Sequence, residues 1–192
     1  MQHIMLDLET MGTGPNAAIV AIGAVEFDLT DTGGALGGTF YQTIGLAAAM
    51  HHGGQVDANT VLWWMKQSDQ ARAMFQQGQD GDPSEHPWVL SRFAEFMCSL
   101  GTDANKARVW GNGASFDNVI LASAYRRAGL ALPWNNFNDR CYRTVKAMQP
   151  DLKLQRTGTH HNALDDARSQ ARHLIQLLRG VDVVIEDMGA GK

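Results

Sequence analysis

Apolar and polar positions along the chain change period several times. Residues 3–8 are a short, mostly apolar run closed by a Gly-containing turn over 11–15. The run reads as a first strand. Residues 19–27 predict a second strand and residues 39–44 a third. The gaps are turns, too short for a crossover helix, so these strands form a meander.

From residue 59 the period becomes helical. Asn59 or Thr60 can cap a helix over 59–77, with Val61, Leu62, Trp64 and Met65 at helical spacing. Residues 78–87 are rich in Gly, Asp and Pro and predict a loop. A second helix is expected over 88–100, a short strand over 107–110, and a helix over 116–128 ended by Gly129. A short strand over 138–142, a helical turn to Met148 and a long helix over 162–178 follow. His51 and His52 fall in a Gly-rich loop with no assigned part. The order β-β-β-α-α-β-α-β-α-α predicts an α/β fold with a mixed sheet and helices on both faces. One domain over 1–180 with a tail over 181–192, frayed at its end, is expected for a 192-residue chain.

Composition narrows the class. Hydrophobic residues at 44% and charged residues at 19% suit a globular core. No apolar run approaches the roughly 18 residues of a membrane span, and Asp7 interrupts any leader-like start, so no membrane association or secretion is expected. Cys98 and Cys141 stand alone, without metal-ligand spacing, which fits free thiols in the cytoplasm. The net charge of -4 hides an asymmetry: residues 1–100 carry -8 and residues 101–192 carry +4. The basic excess gathers in Arg126, Arg127, Arg140, Arg143, Lys146, Lys153 and Arg156. Overall acidity excludes a protein that coats nucleic acid by bulk charge, but that strip could be a phosphate track or simply solvated helix faces.

Three acidic clusters carry the candidate chemistry. Asp7 and Glu9 lie two apart on the first strand and share a face, while Leu6 and Leu8 point into the core. Asp117 opens a helix after Asn112-Gly113-Ala114-Ser115-Phe116, and Asp165 and Asp166 open the last helix after His160-His161. Singly, each has an ordinary explanation, a solvated strand face or acids favoured by a helix dipole. Together they make a set of hard oxygen ligands. Two divalent cations roughly 3.5–4 Å apart on such ligands can activate a water and stabilise both oxygens of a phosphodiester displacement. A neutral His can take the proton.

Asp7-Leu8-Glu9-Thr10, Asn112 to Asp117, and His161-Asn162-Ala163-Leu164-Asp165-Asp166-Ala167 closely resemble, in order, the three motifs of the DEDDh family of 3'-5' exonucleases. Leu62-Trp63-Trp64-Met65-Lys66-Gln67 resembles a narrower branch, the small stand-alone exonucleases of phages, prophages and some bacteria. The resemblance implies a ribonuclease H-like fold whose five-stranded mixed sheet has an antiparallel second strand. It implies Mg²⁺ or Mn²⁺ as two bound cations, with Asp7 bridging both, Glu9 and Asp166 completing the first site, and Asp117 holding the second. His161 would be the general base, and the neighbours His160 and Asp165 are set aside. Thr10, Met11, Asn112 and Phe116 would contact the substrate. Trp63 and Trp64 read as helical packing or as a platform that stacks a base. The activity implied is release of nucleoside 5'-monophosphates from the 3' end of nucleic acid. The phage-like segment tilts the substrate towards single-stranded DNA, with RNA ends as the alternative. A non-catalytic or polymerase-associated subunit is the contrasting class, and retention of all five residues argues against a dead domain. Similar enzymes are often homodimers.

Overall fold

The computed structural model describes residues 2–30, 33–77, 82–100, 103 and 106–189. Five strands form one sheet: β1 (His3–Thr10), β2 (Ile19–Phe27), β3 (Leu36–Thr43), β4 (Arg108–Gly111) and β5 (Asp139–Cys141). Their order is β3-β2-β1-β4-β5. β2 runs antiparallel to both of its neighbours, whereas β4 and β5 join in parallel. Period-two alternation along β1 sorts the core. Ile4, Leu6 and Leu8 enter the larger apolar cluster with Leu90, Phe93, Ile120 and Tyr125. Met5 enters the smaller one with Phe27, Tyr142, Leu174 and Ile175. Helices therefore cover both faces, as the strand–helix alternation predicts.

The helices are α1 (Leu46–His51), α2 (Ala58–Trp64), α3 (Asp69–Arg72), α4 (Glu85–Ser99), α5 (Asp117–Arg127), α6 (Tyr142–Met148) and α7 (Ala163–Gly189). Several depart from the sequence expectation for physical reasons. The expected helix over 59–77 is broken. Asp57 caps α2 by accepting from Asn59 N at 2.7 Å, α2 ends in three-residue turns at Lys66 and Gln67, and Ser68 caps α3 through Ala71 N at 3.2 Å. A 3-10 turn over Ala73–Gln76 follows. α1 is too short at six residues to show a periodicity, and it carries His51 at its end rather than in a loop. α4 starts at Glu85, ahead of Pro87. Proline fits a first helical turn because its missing N–H would have no intrahelical partner there. Of that predicted loop, residues 82–84 are non-helical and residues 78–81 lie outside the described residues. α7 runs on through Gly180 to Gly189, so most of the expected tail is helical; residues 190–192 lie outside the described residues. A glycine weakens a helix interior by about 1 kcal/mol but keeps its N–H. None of the described helices is long and apolar enough to cross a membrane.

One close approach positions everything at the centre. Gly23 of β2 is the cross-strand partner of Asp7. A Cβ at Gly23 would come within 2.1 Å of the Ala163 carbonyl carbon and 2.3 Å of Leu164 N. The first turn of α7 thus rests directly on the β2 backbone, one strand away from Asp7. Gly23→Ala is expected to push α7 off the sheet, to lower stability by at least about 1–3 kcal/mol, and to remove activity. Gly14→Ala, at a position with nothing within 4 Å of a new Cβ, should be near neutral. Thermal melts of the two variants measure the contrast, and equal melting temperatures would contradict the packing argument.

Candidate active site

The first turn of α7 is built by its own side chains. Asn162 Oδ1 accepts from Leu164 N and Asp165 N, both at 3.1 Å. The Asp165 carboxylate turns back to accept from Thr159 N at 2.8 Å and lies 3.7 Å from Arg168. Asp166, one residue on, faces the sheet instead. Carboxylate oxygens of Asp7, Glu9 and Asp166 lie within 4.8 Å of one another. The loop and helix geometry thus separates Asp166 from Asp165 as the motif spacing does.

Asp117 reaches the same place from the other side. β4 pairs with β1 only as far as Gly111 opposite Leu6. Beyond that point Leu8 N donates to Asp117 Oδ1 at 3.2 Å. Gly111 permits the approach, because a Cβ there would lie 2.4 Å from Asn118 Oδ1 and 3.0 Å from Asp117 Cβ. Asp117 Oδ2 is buried with no partner among the described residues. Gln170, one helical turn after Asp166, donates to Asp7 Oδ1 at 2.7 Å.

The four carboxylates open onto one cavity of about 590 Å³. Thr10, Asn112 and Phe116 also line it. Met11 does not. Its side chain is packed in the larger core cluster, which removes it from the expected substrate contacts. Trp63 and Trp64 separate: Trp64 is buried and donates from Nε1 to the Thr10 carbonyl at 2.9 Å, while Trp63 is 41% exposed at the cavity wall. His161 has φ 64, the only left-handed non-glycine among the described residues. Its ring meets Trp63 edge-on at 4.8 Å and stacks on His160 at 3.7 Å, so both histidines line the cavity. His161 is half-buried and His160 exposed.

The electrostatics follow from this crowding. Burial, then the neighbouring Asp117, Glu9 and Asp166, push Asp7 well above the usual carboxylate range, opposed by the Gln170 hydrogen bond. Burial and then Asp166 and Asp117 raise Glu9 to about 8. Asp117 is raised to about 7 by burial, against the opposing backbone N–H of Leu8. His161 is lowered, chiefly by burial and then by His160. Such a site is poised for cations and for a neutral imidazole.

The family model described as the 3'-5' exoribonuclease Rv2179c-like domain matches residues 2–178. The chain belongs to this family. It is a 3'-5' exonuclease. Among solved structures, the exonuclease is similar to the nuclease domain of 3'hExo, a DEDDh family member bound to rAMP. That match has TM-score 0.61 and 17% identity, covering 93% of this chain and 92% of the other. It is also similar to the Mg²⁺- and Mn²⁺-bound form of S. pombe Pop2p, with TM-score 0.54 and 14% identity, covering 91% and 82%. E. coli exonuclease I in complex with a dA16 oligonucleotide matches with TM-score 0.52 and 18% identity, covering 91% of this chain but 40% of that one. At these identities the likeness is one of fold, the ribonuclease H-like sheet and its flanking helices. A search of curated proteins gave no match.

Among the cavity residues of the exonuclease that sequence reasoning missed are Gln170, Arg143 and Arg156. Gln170 carried a signal, since its spacing of four from Asp166 places both on one face of α7. Arg143 and Arg156 stood within the basic strip, but nothing in the sequence separated these two, which line the cavity, from the other five. Arg143 donates to the Asn112 carbonyl at 2.6 Å. Arg156 is ion-paired with Asp166.

The raised carboxylates set a pH dependence. Glu9 has an ordinary value of 4.5 and about 8 in the fold. The native state therefore binds more protons than the unfolded chain in this window, and stability falls as pH rises. His3 and His86, each lowered to about 4 by burial, act in the opposite sense up to their ordinary value of 6.5. The carboxylate effect is thus read above that value. In EDTA the melting temperature should fall from pH 6.5 to 8. Asp7→Asn should flatten that fall, and Mn²⁺ should reverse it. A metal-free melting temperature that rises across this interval would contradict the carboxylate assignment.

Proposed function

We propose that this exonuclease hydrolyses RNA from its 3' end with two divalent cations, Mg²⁺ or Mn²⁺, releasing nucleoside 5'-monophosphates. The observation that carries the reading is the convergence of four carboxylates on one cavity, with the buried Asp117 Oδ2 left without a partner. An unpaired buried carboxylate oxygen is costly unless a cation meets it. The donor set, all carboxylate oxygen, suits hard cations. Asp7 would bridge the two, Glu9 and Asp166 would complete the first site, and Asp117 would hold the second. When bound, such cations generate a nucleophilic water at neutral pH and neutralise charge on the attacking and leaving oxygens.

The remaining work belongs to the chain itself. A ring nitrogen of His161 accepts the proton of the attacking water; its lowered pKa keeps the imidazole neutral and able to do so. Trp63 meets this imidazole edge-on and His160 stacks on it. Thr10, Asn112 and Phe116 seat the terminal nucleotide against β1. For RNA, the support is the family's description as an exoribonuclease domain, and it outweighs the tilt towards DNA from the Leu62 to Gln67 segment. That segment still supports a place among the small stand-alone exonucleases of phages, prophages and bacteria. The free thiols Cys98 and Cys141 support a cytoplasmic setting. The exposed Leu62, Met65 and Trp88 support a homodimer.

Digestion of 5'-labelled RNA and single-stranded DNA side by side tests the proposal. RNA should shorten from its 3' end in Mg²⁺ or Mn²⁺, EDTA should stop the reaction reversibly, and a 3'-phosphate should block it. Faster loss of DNA would reverse the substrate reading, and full activity in EDTA would overturn the cation reading. His161→Ala should lower kcat by about 10²–10⁴-fold with Mn²⁺ affinity unchanged, while His160→Ala should stay near parent turnover. If His160→Ala is instead the inactive variant, the base is misassigned.

A further inference from the structure

Asp166 is the only member of the carboxylate quartet with an ion-pair partner among the described residues. Its Oδ1 meets Arg156 Nη1 and its Oδ2 accepts from His161 N at 3.0 Å. The Arg156 side chain is 44% exposed and lines the same cavity as Asp7, Glu9 and Asp117. Nor is its position an accident of a loose loop. The next residue is fastened to α7, with Thr157 N donating to Ser169 Oγ at 3.0 Å and Ser169 Oγ donating to the Asp165 carbonyl at 2.8 Å. Thr159 N is fastened to Asp165 as well. The loop over residues 156–161 is thereby laid along the first turns of α7 with Arg156 facing the cavity.

A guanidinium in this position has two partners to choose from. It offers five N–H donors in a planar fork that matches a phosphate, and its pairing with Asp166 engages part of that fork. In the metal-free protein it supplies the positive charge that Asp166 would otherwise lack. A cation bound between Asp7, Glu9 and Asp166 would take over that work. The guanidinium would then be the positive group nearest to Asp166 with donors to spare, in a cavity that must receive a phosphodiester.

We propose that Arg156 is a substrate-binding residue that exchanges partners, holding Asp166 in the metal-free protein and a phosphate oxygen of the substrate or product once cations are bound. This inference rests on the cation reading of the site. Arg156 is neither a metal ligand nor the base, so it supports binding of the phosphate and not of the metal. A residue that merely props Asp166 would act the other way, on the metal alone.

The two cases separate in calorimetric titrations that need no turnover. Mn²⁺ is titrated into the parent, Arg156→Met and Arg156→Lys, and adenosine 5'-monophosphate or adenosine is then titrated into each Mn²⁺-loaded protein. Arg156→Met should bind Mn²⁺ as tightly as the parent or more tightly, because a competing cation is gone. It should bind adenosine 5'-monophosphate about 10- to 100-fold more weakly, the scale of losing a charge-assisted fork, while adenosine binding stays unchanged. Arg156→Lys, which keeps the charge without the fork, should fall between. Unchanged adenosine 5'-monophosphate affinity in Arg156→Met overturns the proposal, and so does a loss of Mn²⁺ affinity in that variant. Failure of the parent itself to bind Mn²⁺ would instead refute the cation reading beneath it.

Discussion

The structure turns on bringing like charges together where water is scarce. Four carboxylates within one cavity repel each other and lose solvation at once. Neither β1 nor α7 would adopt that arrangement alone. The backbone contact at Gly23 imposes it: α7 rests on β2 beside Asp7, and Asp166 follows less than one turn later. The opposite side repeats the device. β4 stops at Gly111, leaving Leu8 N free for Asp117, and the same glycine gives α5 room to start there. The two glycines convert repulsive side chains into a fixed cluster, and the apolar layers on either face of the sheet supply the stability that the cluster removes.

The strands and the acid pattern were legible because they depend on local rules. Alternation along residues 3–9 assigns Leu6 and Leu8 to one face and Asp7 and Glu9 to the other without any tertiary knowledge. The His-to-Asp spacing of the motif it resembles chose Asp166 over Asp165, and in the structure Asp165 turns back to Thr159 N instead. What stayed hidden was set by contacts distant in sequence. The burial of the Trp64 ring and its bond to the Thr10 carbonyl, 54 residues away, lie beyond any local rule. Met11 looks like any residue beside a motif, and only the packing of the larger core shows that it faces inward. Gly23 sits in the middle of a strand and reads as a mild defect; its purpose exists only once α7 is placed on it.

The environment of His161 shows how local strain and chemistry are joined. A left-handed φ at a non-glycine residue is uncommon and persists only where the surroundings fix it. Here Asp166 Oδ2 holds the His161 N–H, and Trp63 and His160 enclose the ring. The same carboxylate that faces Asp7 and Glu9 therefore also sets the backbone of the imidazole. The His161 ring and the carboxylate cluster are positioned as one unit, though their residues come from a loop, one strand and two helices.

The carboxylates are oriented by different donors, and the difference has a consequence. Asp7 is held by the neutral amide of Gln170, and Asp117 by a backbone N–H. Neutral donors fix a carboxylate without cancelling its charge, so the attraction for cations survives. Among the described residues, Asp166 is the one of the four that a guanidinium holds as well. A full charge there lowers the repulsion of the metal-free cluster, but it also competes with any cation for the same oxygen. A loop-borne, half-exposed arginine suits that competition better than a buried one would, because it can withdraw without leaving an unpaired charge in the core.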